Sequence, residues 1–122
     1  MKISEIINSG KLSLSFEVFP PKNDVVFSEI KDATEKIAEM KPSFISVTYG
    51  AGGGTSKYTL EIARNIKDKF NVPTLAHLTC ISSKKETVLE RIKELKDAGI
   101  KNIMALRGDI PDEKKNEDRS LW

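Results

Sequence analysis

Short apolar stretches alternate with amphipathic stretches along the chain, and this alternation restricts its fold more than any other feature of the sequence. The apolar stretches are predicted strands at 12–19, 43–50, 73–80 and 101–108. The stretches between them place apolar residues at helical spacing and are predicted helices at about 24–41, 57–70 and 84–98. Strands that alternate with helices require crossover connections between parallel strands, so the sequence predicts an α/β fold.

The predicted helices have boundary signals and one apolar side each. A short helix is predicted at 3–8, before the first strand. Asp24 is a candidate N-cap of the helix that Lys41 and Pro42 end. Gly99 is expected to end the last helix. The residues expected to face inward are Phe27, Ile30, Thr34 and Ile37 in the first long helix, Ile62, Ala63, Ile66 and Phe70 in the second, and Val88, Leu89, Ile92 and Leu95 in the third.

Two architectures fit this order of elements: a doubly wound open sheet, or part of a (β/α)8 TIM barrel. The 122 residues are enough for one domain, 1–122. A full barrel usually takes about 250 residues. The predicted βα units therefore correspond to about half a barrel, and the pattern alone leaves both architectures open.

Charge and cysteine content exclude several classes of function. Twenty basic and 18 acidic residues give a net charge of +2, which is too small to indicate a nucleic-acid-binding surface. The single cysteine, Cys80, excludes an internal disulfide and fits a reducing compartment. No apolar run approaches the roughly 18 residues of a membrane span, and the first residues lack the apolar core of a signal peptide. We expect a cytoplasmic protein that binds neither nucleic acid nor a membrane.

Each predicted strand has a polar residue near its C-terminal end. Because side chains alternate between the two faces of a strand, parity puts one set of polar residues on a common face: Glu17, Thr48, His77 and Arg107. Barrels and open α/β sheets place their sites at this end of the strands. A structural histidine at 77, an Arg107–Asp109 ion pair or a Glu17–Arg107 pair would explain single residues. A polar residue near the C-terminal end of each of four strands favours a functional site at this end of the sheet.

The glycine-rich stretch 49–57, YGAGGGTSK, does not match a known phosphate loop. The dinucleotide fingerprint needs glycine at its sixth position, where Thr55 stands. A Walker loop ends in Gly-Lys-Ser/Thr, whereas here Lys57 follows Ser56. A tight turn that lets a bulky ligand approach is the better interpretation. One histidine and one cysteine are too few for a zinc site, so no metal site is predicted.

Four motifs, in order and at similar spacing, resemble the N-terminal half of the 5,10-methylenetetrahydrofolate reductase family: SFEVFPPKN, FISVTYGAGG, AHLTC and NIMALRGDIP. The resemblance covers about residues 12–111. It implies a flavoprotein (β/α)8 barrel that uses NADH or NADPH to reduce FAD and then passes a hydride to methylenetetrahydrofolate. The implied product is 5-methyltetrahydrofolate, which belongs to one-carbon metabolism and methionine synthesis.

The resemblance also implies roles for individual residues. Glu17 matches the family's general acid, and Asp109 matches an aspartate near the flavin that stabilises a cationic folate intermediate. The positions that match FAD contacts are Thr48, Tyr49, Ala51, His77, Arg107, Gly108 and Asp109. A carboxyl group that acts as a general acid near neutral pH needs a raised pKa. The apolar neighbours Phe16, Val18 and Phe19 are expected to supply the necessary desolvation.

A half barrel leaves two sheet edges and one apolar face uncovered. The chain is therefore expected to be a truncated form, to pair with a second copy that completes a barrel-like core, or to be part of a larger protein. The abrupt end RSLW favours truncation, and a homo-oligomer is expected. The alternative to an enzyme is a catalytically inactive half barrel that acts only as a folded oligomer or interaction module.

Overall fold

The structure is a computed structural model that describes residues 1–21, 23–49, 56–81, 83–110, 112 and 115–116. Within them, a short N-terminal helix precedes an alternation of strands and helices. The strands are β1 (Ser15–Val18), β2 (Phe44–Val47), β3 (Thr74–Thr79) and β4 (Asn102–Leu106). The helices are α1 (Ile3–Ile7), α2 (Phe27–Glu39), α3 (Ser56–Phe70) and α4 (Lys85–Asp97). Every predicted strand and helix is present, and each strand is shorter than predicted.

The strands form one parallel sheet in the order β1-β2-β3-β4. A doubly wound sheet reverses its strand order at a switch point. Here each strand lies beside its neighbour in the chain, as successive βα units of a barrel do. The prediction of about half a TIM barrel is confirmed, and the doubly wound alternative is wrong.

The core lies between the sheet and its three longer helices. Val18 pairs with Val47, and Val47 pairs with Ala76, so these side chains share one side of the sheet, which we call the helix face. All three are buried. The helices contribute buried partners to the same cluster: Ala38 of α2, Ile62, Ala63 and Ile66 of α3, and Leu95 of α4. Removing this apolar surface from water is the main favourable contribution to folding.

Each of the longer helices is followed by a residue in the left-handed backbone region. These residues are Lys41 (φ 51°), Asn71 (φ 54°) and Gly99 (φ 77°). Glycine and asparagine adopt this conformation most easily, and it turns the chain out of the helix. The Lys41 ammonium group donates to the carbonyl oxygen of Phe70, at the end of α3. The predicted helix stops at Lys41 and Gly99 are confirmed.

The start of α2 differs from the sequence interpretation. Asn23, rather than Asp24, opens the turn before this helix. Its side-chain oxygen accepts the N–H groups of Val25 at 3.1 Å and Val26 at 3.4 Å. Asp24 instead accepts a hydrogen bond from the hydroxyl of Tyr58 in α3. That hydrogen bond raises the pKa of Tyr58 above its ordinary value of 10.0.

Leu89 and Ile92 of α4 do not face inward as predicted. They are 55% and 38% exposed, whereas Leu95 of the same helix is 6% exposed. The apolar residues of β4 are also exposed: Ile103, Met104 and Leu106. Because β4 is the last strand of the sheet, no described element follows to cover it and the outer side of α4.

The N-terminal helix α1 is tied to the beginning of β4. The Ile3 N–H donates to Oδ1 of Asn102 at 3.1 Å, and Nδ2 of Asn102 donates to the carbonyl oxygen of Met1 at 3.3 Å. This contact lies at the N-terminal end of the sheet, so the C-terminal strand ends are left clear of α1. Among the described helices, none combines the length and apolarity needed to cross a bilayer.

Candidate active site

The side of the sheet opposite the core carries the candidate site. Register pairs Glu17 with Ser46, Ser46 with Leu75, and His77 with Met104, so these residues share that side. We call this side the open face; it comprises Glu17, Ser46, Leu75, His77, Met104 and Leu106. In a closed barrel, the side opposite the helices is the interior. The predicted grouping of Glu17 with His77 is confirmed.

Three adjacent strands bring Glu17, Ser46 and His77 together. The Ser46 hydroxyl donates to Oε1 of Glu17 at 3.2 Å. Nε2 of His77 lies 3.6 Å from the same oxygen, which is beyond hydrogen-bond length but within ion-pair range for a protonated imidazole. Ser46 and His77 are buried, at 7% and 9% exposure. One oxygen of the carboxylate therefore lies against two buried polar groups.

Glu17 is less buried than the sequence interpretation expected. Its side chain is 49% exposed. Val18 points to the helix face, and alternation puts Phe16 on that same side, away from the carboxylate. Phe19 is itself 66% exposed. The expected desolvation by these three neighbours is wrong: Phe16 and Val18 point to the opposite face from Glu17, and Phe19 is largely in solvent.

Thr48 and Tyr49 follow β2 at the C-terminal edge of the sheet. The Thr48 N–H donates to the carbonyl oxygen of Val18 at 3.0 Å. The Thr59 hydroxyl donates to the carbonyl oxygen of Thr48 at 2.9 Å. Arg91 of α4 donates from Nη1 to the Tyr49 hydroxyl, and its guanidinium carbon lies 5.6 Å from the ring centre. Contacts with β1, α3 and α4 therefore fix this segment, which parity had placed beside Glu17.

Arg107 does not lie on the open face. The register pairs His77 with Met104 and Thr79 with Leu106, so Arg107 is one residue out of phase with the open face. It borders a cleft of about 400 Å³ beside the start of α4. The placement predicted from parity was wrong, because parity within one strand does not fix its register against the next strand.

Gly108 follows Arg107 and approaches β3 closely. Its φ is 85°, and a Cβ built on it would lie 2.2 Å from Cγ2 of Thr79. Asp109 comes next and is exposed. Among the described contacts, Arg107 pairs with neither Glu17 nor Asp109, and its Nε donates to the carbonyl oxygen of Gly108 at 3.1 Å. The segment 107–109 therefore follows β4 with two exposed charged side chains on either side of Gly108. Only glycine, which has no Cβ, can approach β3 this closely.

One predicted site residue is not described by the structure, and one residue of the site was not predicted. Ala51 and the glycine run at 50–55 lie outside the described residues. Ser46 is absent from the sequence candidates, although it has the same parity in its strand as Thr48. In the part of the chain that the structure describes, no three His, Cys, Asp or Glu side chains are close enough to hold a metal ion.

The sequence of the chain matches a known protein family. The family model for methylenetetrahydrofolate reductase matches residues 2–121. Methylenetetrahydrofolate reductase (NADH) 1 of Zea mays is 38% identical over 110 residues, which are 90% of this chain and 18% of that protein. The 5,10-methylenetetrahydrofolate reductases of Pectobacterium carotovorum subsp. carotovorum and Escherichia coli K12 are 36% and 35% identical. These two alignments cover 85% and 84% of this chain, and 35% and 34% of the bacterial proteins.

The chain spans about a third of the length of these bacterial relatives and less than a fifth of the maize protein. The family match nevertheless extends over nearly all of its residues. The parallel strands in sequential order agree with a partial barrel of that family. The chain belongs to the methylenetetrahydrofolate reductase family.

Proposed function

We propose that the chain serves in the reduction of 5,10-methylenetetrahydrofolate to 5-methyltetrahydrofolate, with NAD(P)H as the electron donor and FAD as the cofactor. The observation that carries this proposal is the meeting of Glu17, Ser46 and His77 on the open face, with Thr48 at the adjoining strand end. Parallel α/β folds bind ligands at the C-terminal strand ends. The maize relative is named for NADH and the bacterial relatives for the folate substrate.

The described residues fit a bound flavin. Nε2 of His77 is buried and has no hydrogen-bond partner among the described residues, so a polar atom of a ligand would satisfy it. Thr48 and Tyr49, which follow β2, and the 107–109 segment, which follows β4, add polar and charged residues at the same end of the sheet. The residues that would hold FAD are Thr48, Tyr49, Ala51, His77, Arg107, Gly108 and Asp109. Bound FAD supplies hydride transfer, which no amino-acid side chain provides.

Glu17 has the role of general acid in this proposal. A proton given by its carboxyl group to a ring nitrogen of the folate lets the five-membered ring open to an iminium cation. Asp109, an anionic side chain at the end of β4, would stabilise that cation. Because the Glu17 side chain is 49% exposed in this chain, the bound folate and the elements that complete a barrel would have to exclude water from it.

The product connects the chain to a wider chemistry. A folate that carries a methyl group at the reduction level of methanol is a methyl donor, which suits methionine synthesis. We place the chain in one-carbon metabolism on this ground.

Flavin binding is the first test of the proposed function. Purified chain titrated with FAD should perturb the visible absorbance of the flavin and quench its fluorescence in a saturable way. The same titration with His77→Ala should show weaker binding, since the buried imidazole is one of the proposed contacts. Absence of binding, both to this chain and to a version extended to barrel length, would contradict the cofactor assignment.

Glu17→Gln tests the role of the acid. Anaerobic stopped-flow at the flavin absorbance measures the two half-reactions separately. We expect flavin reduction by NAD(P)H to stay within about twofold, and reoxidation by methylenetetrahydrofolate to fall roughly 10²–10⁴-fold, the usual contribution of a general acid. Glu39→Gln, at the end of α2, is a matched control that should change neither rate. Equal losses in both half-reactions would show that Glu17 is structural.

The alternative function is an inactive folded module that associates through its uncovered surfaces. The exposed Met104 and Leu106 on the open face favour this alternative, because a catalytic barrel covers such residues. A stable oligomer that binds no flavin and has no reductase activity would support the module and contradict the enzyme.

A further inference from the structure

The Glu17 carboxylate is held through one oxygen only. Within the described residues, its hydrogen bond comes from the Ser46 hydroxyl to Oε1, at 3.2 Å. His77 approaches the same atom, but its Nε2 at 3.6 Å is too distant to hydrogen-bond. Oε2 has no hydrogen-bond partner among these residues. Among the described residues, Oε1 of the carboxylate is therefore hydrogen-bonded, whereas Oε2 is not.

Ser46 is fixed more firmly than the glutamate that it contacts. It lies inside β2, paired with Glu17 on one side and Leu75 on the other. Its strand neighbours Ile45 and Val47 are fully buried on the helix face, which holds the backbone in place. Glu17 lies in an edge strand, and a half-exposed glutamate side chain samples several rotamers. The hydroxyl thus restrains a side chain that would otherwise be mobile.

We propose that Ser46 is a positioning residue for Glu17, an assignment that rests on the proposed function. Its hydroxyl holds Oε1, so that Oε2 carries the proton that is given to the folate. With the proton on Oε2, Oε1 accepts a hydrogen bond both in the carboxylic acid and in the carboxylate. The Ser46 contact therefore does not have to break when the proton leaves.

Orientation of the acid matters because proton transfer needs a donor within about 2.6–3.2 Å of its acceptor. A displacement of about 1 Å at a reacting group costs on the order of 100-fold in rate. A carboxylate that rotates about its side-chain bonds would often present Oε1, or neither oxygen, to the substrate. Loss of the Ser46 hydroxyl should therefore lower the rate of the folate half-reaction and leave flavin reduction by NAD(P)H unchanged.

The test compares three variants of the full chain. Ser46→Ala removes the hydroxyl, and Ser46→Thr keeps it as the conservative replacement. Thr74→Val is the matched control: Thr74 is 4% exposed, and its hydroxyl donates to the carbonyl oxygen of Val72 at 3.0 Å, at the opposite end of the sheet. It removes a buried, hydrogen-bonded hydroxyl that has no contact with Glu17.

The kinetic result has a distinct pattern. We expect Ser46→Ala to slow reoxidation of the flavin by methylenetetrahydrofolate roughly 10- to 100-fold through kcat rather than KM. Ser46→Thr should restore most of that loss, and Thr74→Val should have the wild-type rate. A wild-type folate rate in Ser46→Ala, or an equal loss in both half-reactions, would overturn the proposal.

A spectroscopic readout separates this proposal from the proposed function. The Glu17 Cδ resonance in a ¹³C-labelled chain is assigned by its absence in Glu17→Gln. We expect it to move in Ser46→Ala and to stay unchanged in Thr74→Val. An unchanged resonance in Ser46→Ala would overturn the positioning role whatever the turnover. If the wild-type chain reduces no folate, the proposed function fails, whereas the Cδ comparison still decides whether Ser46 holds Glu17.

Discussion

Gly108 and Gly10 both have a positive φ, at 85° and 74°, but only Gly108 lies against another side chain. A Cβ at Gly10 would meet no atom within 4 Å, whereas one at Gly108 would lie 2.2 Å from Cγ2 of Thr79. We expect Gly10→Ala to lower the free energy of unfolding by about 1 kcal/mol, the cost of a side chain in this backbone region. Gly108→Ala should lower it by about 3 kcal/mol, because overpacking adds to that cost.

Urea unfolding followed by circular dichroism measures both losses. Thr79→Ser removes the methyl group that the new Cβ would meet, so Gly108→Ala should cost less in that background. Equal losses at the two glycines would mean that the close approach of Gly108 to Thr79 contributes nothing.

Single residues of the site were partly predictable from parity. Alternation within a strand put Glu17 and His77 on one face, and the register confirms this. Parity failed for Arg107 because the offset between β3 and β4 depends on backbone pairing that no single strand encodes. Ser46 escaped notice because a serine between two apolar residues is ordinary in a strand. Only its pairing with Glu17 gives it a meaning.

At the scale of the elements, α3 and α4 differ in how much of their apolar surface is covered. Ile66 of α3 is 0% exposed, whereas Leu89 of α4 is 55% exposed. We expect Ile66→Ala to lower the free energy of unfolding by about 2–5 kcal/mol, the usual cost of a cavity in a core. Leu89→Ala should lower it by less than about 1 kcal/mol, since the side chain is already largely in water.

Chemical denaturation with urea tests this pair of variants. A loss at Leu89 as large as that at Ile66 would show that another element, or another molecule, covers the outer side of α4 in solution. Helical spacing identified both residues as apolar-face positions, and it could not distinguish them. Periodicity shows that a face is apolar but not whether a partner lies against it.

Glu35 of α2 forms hydrogen bonds with α3, and their contribution to the free energy of unfolding depends on pH. Its carboxylate accepts hydrogen bonds from Asn65 at 3.0 Å and Lys69 at 3.2 Å. The Asn65 hydrogen bond, followed by that of Lys69, lowers the pKa of Glu35 below its ordinary value of 4.5. Because the folded-state pKa is depressed, this stabilisation is present above pH 4.5 and is lost as the pH falls through the folded-state value.

The matching experiment measures unfolding free energies between neutral and acidic pH. We expect Glu35→Gln to lose less stability than the wild-type chain below pH 4.5, since it has no carboxylate to protonate there. Glu39→Gln, on the same helix, should follow the wild-type curve. Parallel curves for the wild-type chain and Glu35→Gln would show that the contact does not favour the ionised form.

At the scale of the whole molecule, the sheet that the described residues form ends at β1 and β4, and each of these strands has one edge that no other described strand pairs with. Such edges pair readily with another chain, and apolar side chains strengthen the contact. Ile103, Met104 and Leu106 of β4 are all more than a third exposed. We therefore expect the chain to associate with a second copy, and Met104→Lys to shift it towards the monomer.

Light scattering on a size-exclusion column, over a range of protein concentrations, measures this association. Val25→Lys is the control, because Val25 is 85% exposed in the turn before α2 and far from the β4 edge in the sheet order. A monomer at every concentration would contradict the expectation.

The half-barrel fold was predictable because each βα unit carries its own pattern. Whether the outer edges of β1 and β4 are paired was not predictable from the sequence, because it depends on other elements or other molecules that lie against them.

The sequential order of the strands also has a consequence for synthesis. Each strand pairs only with its chain neighbours, across one intervening helix. A ribosome releases the N-terminal units first, so β1, α2 and β2 can associate before β4 has been made. Every later unit then adds to the edge that the previous one exposed. The nascent chain can therefore grow its sheet in the direction of translation, because each strand after β1 finds its preceding neighbour already made.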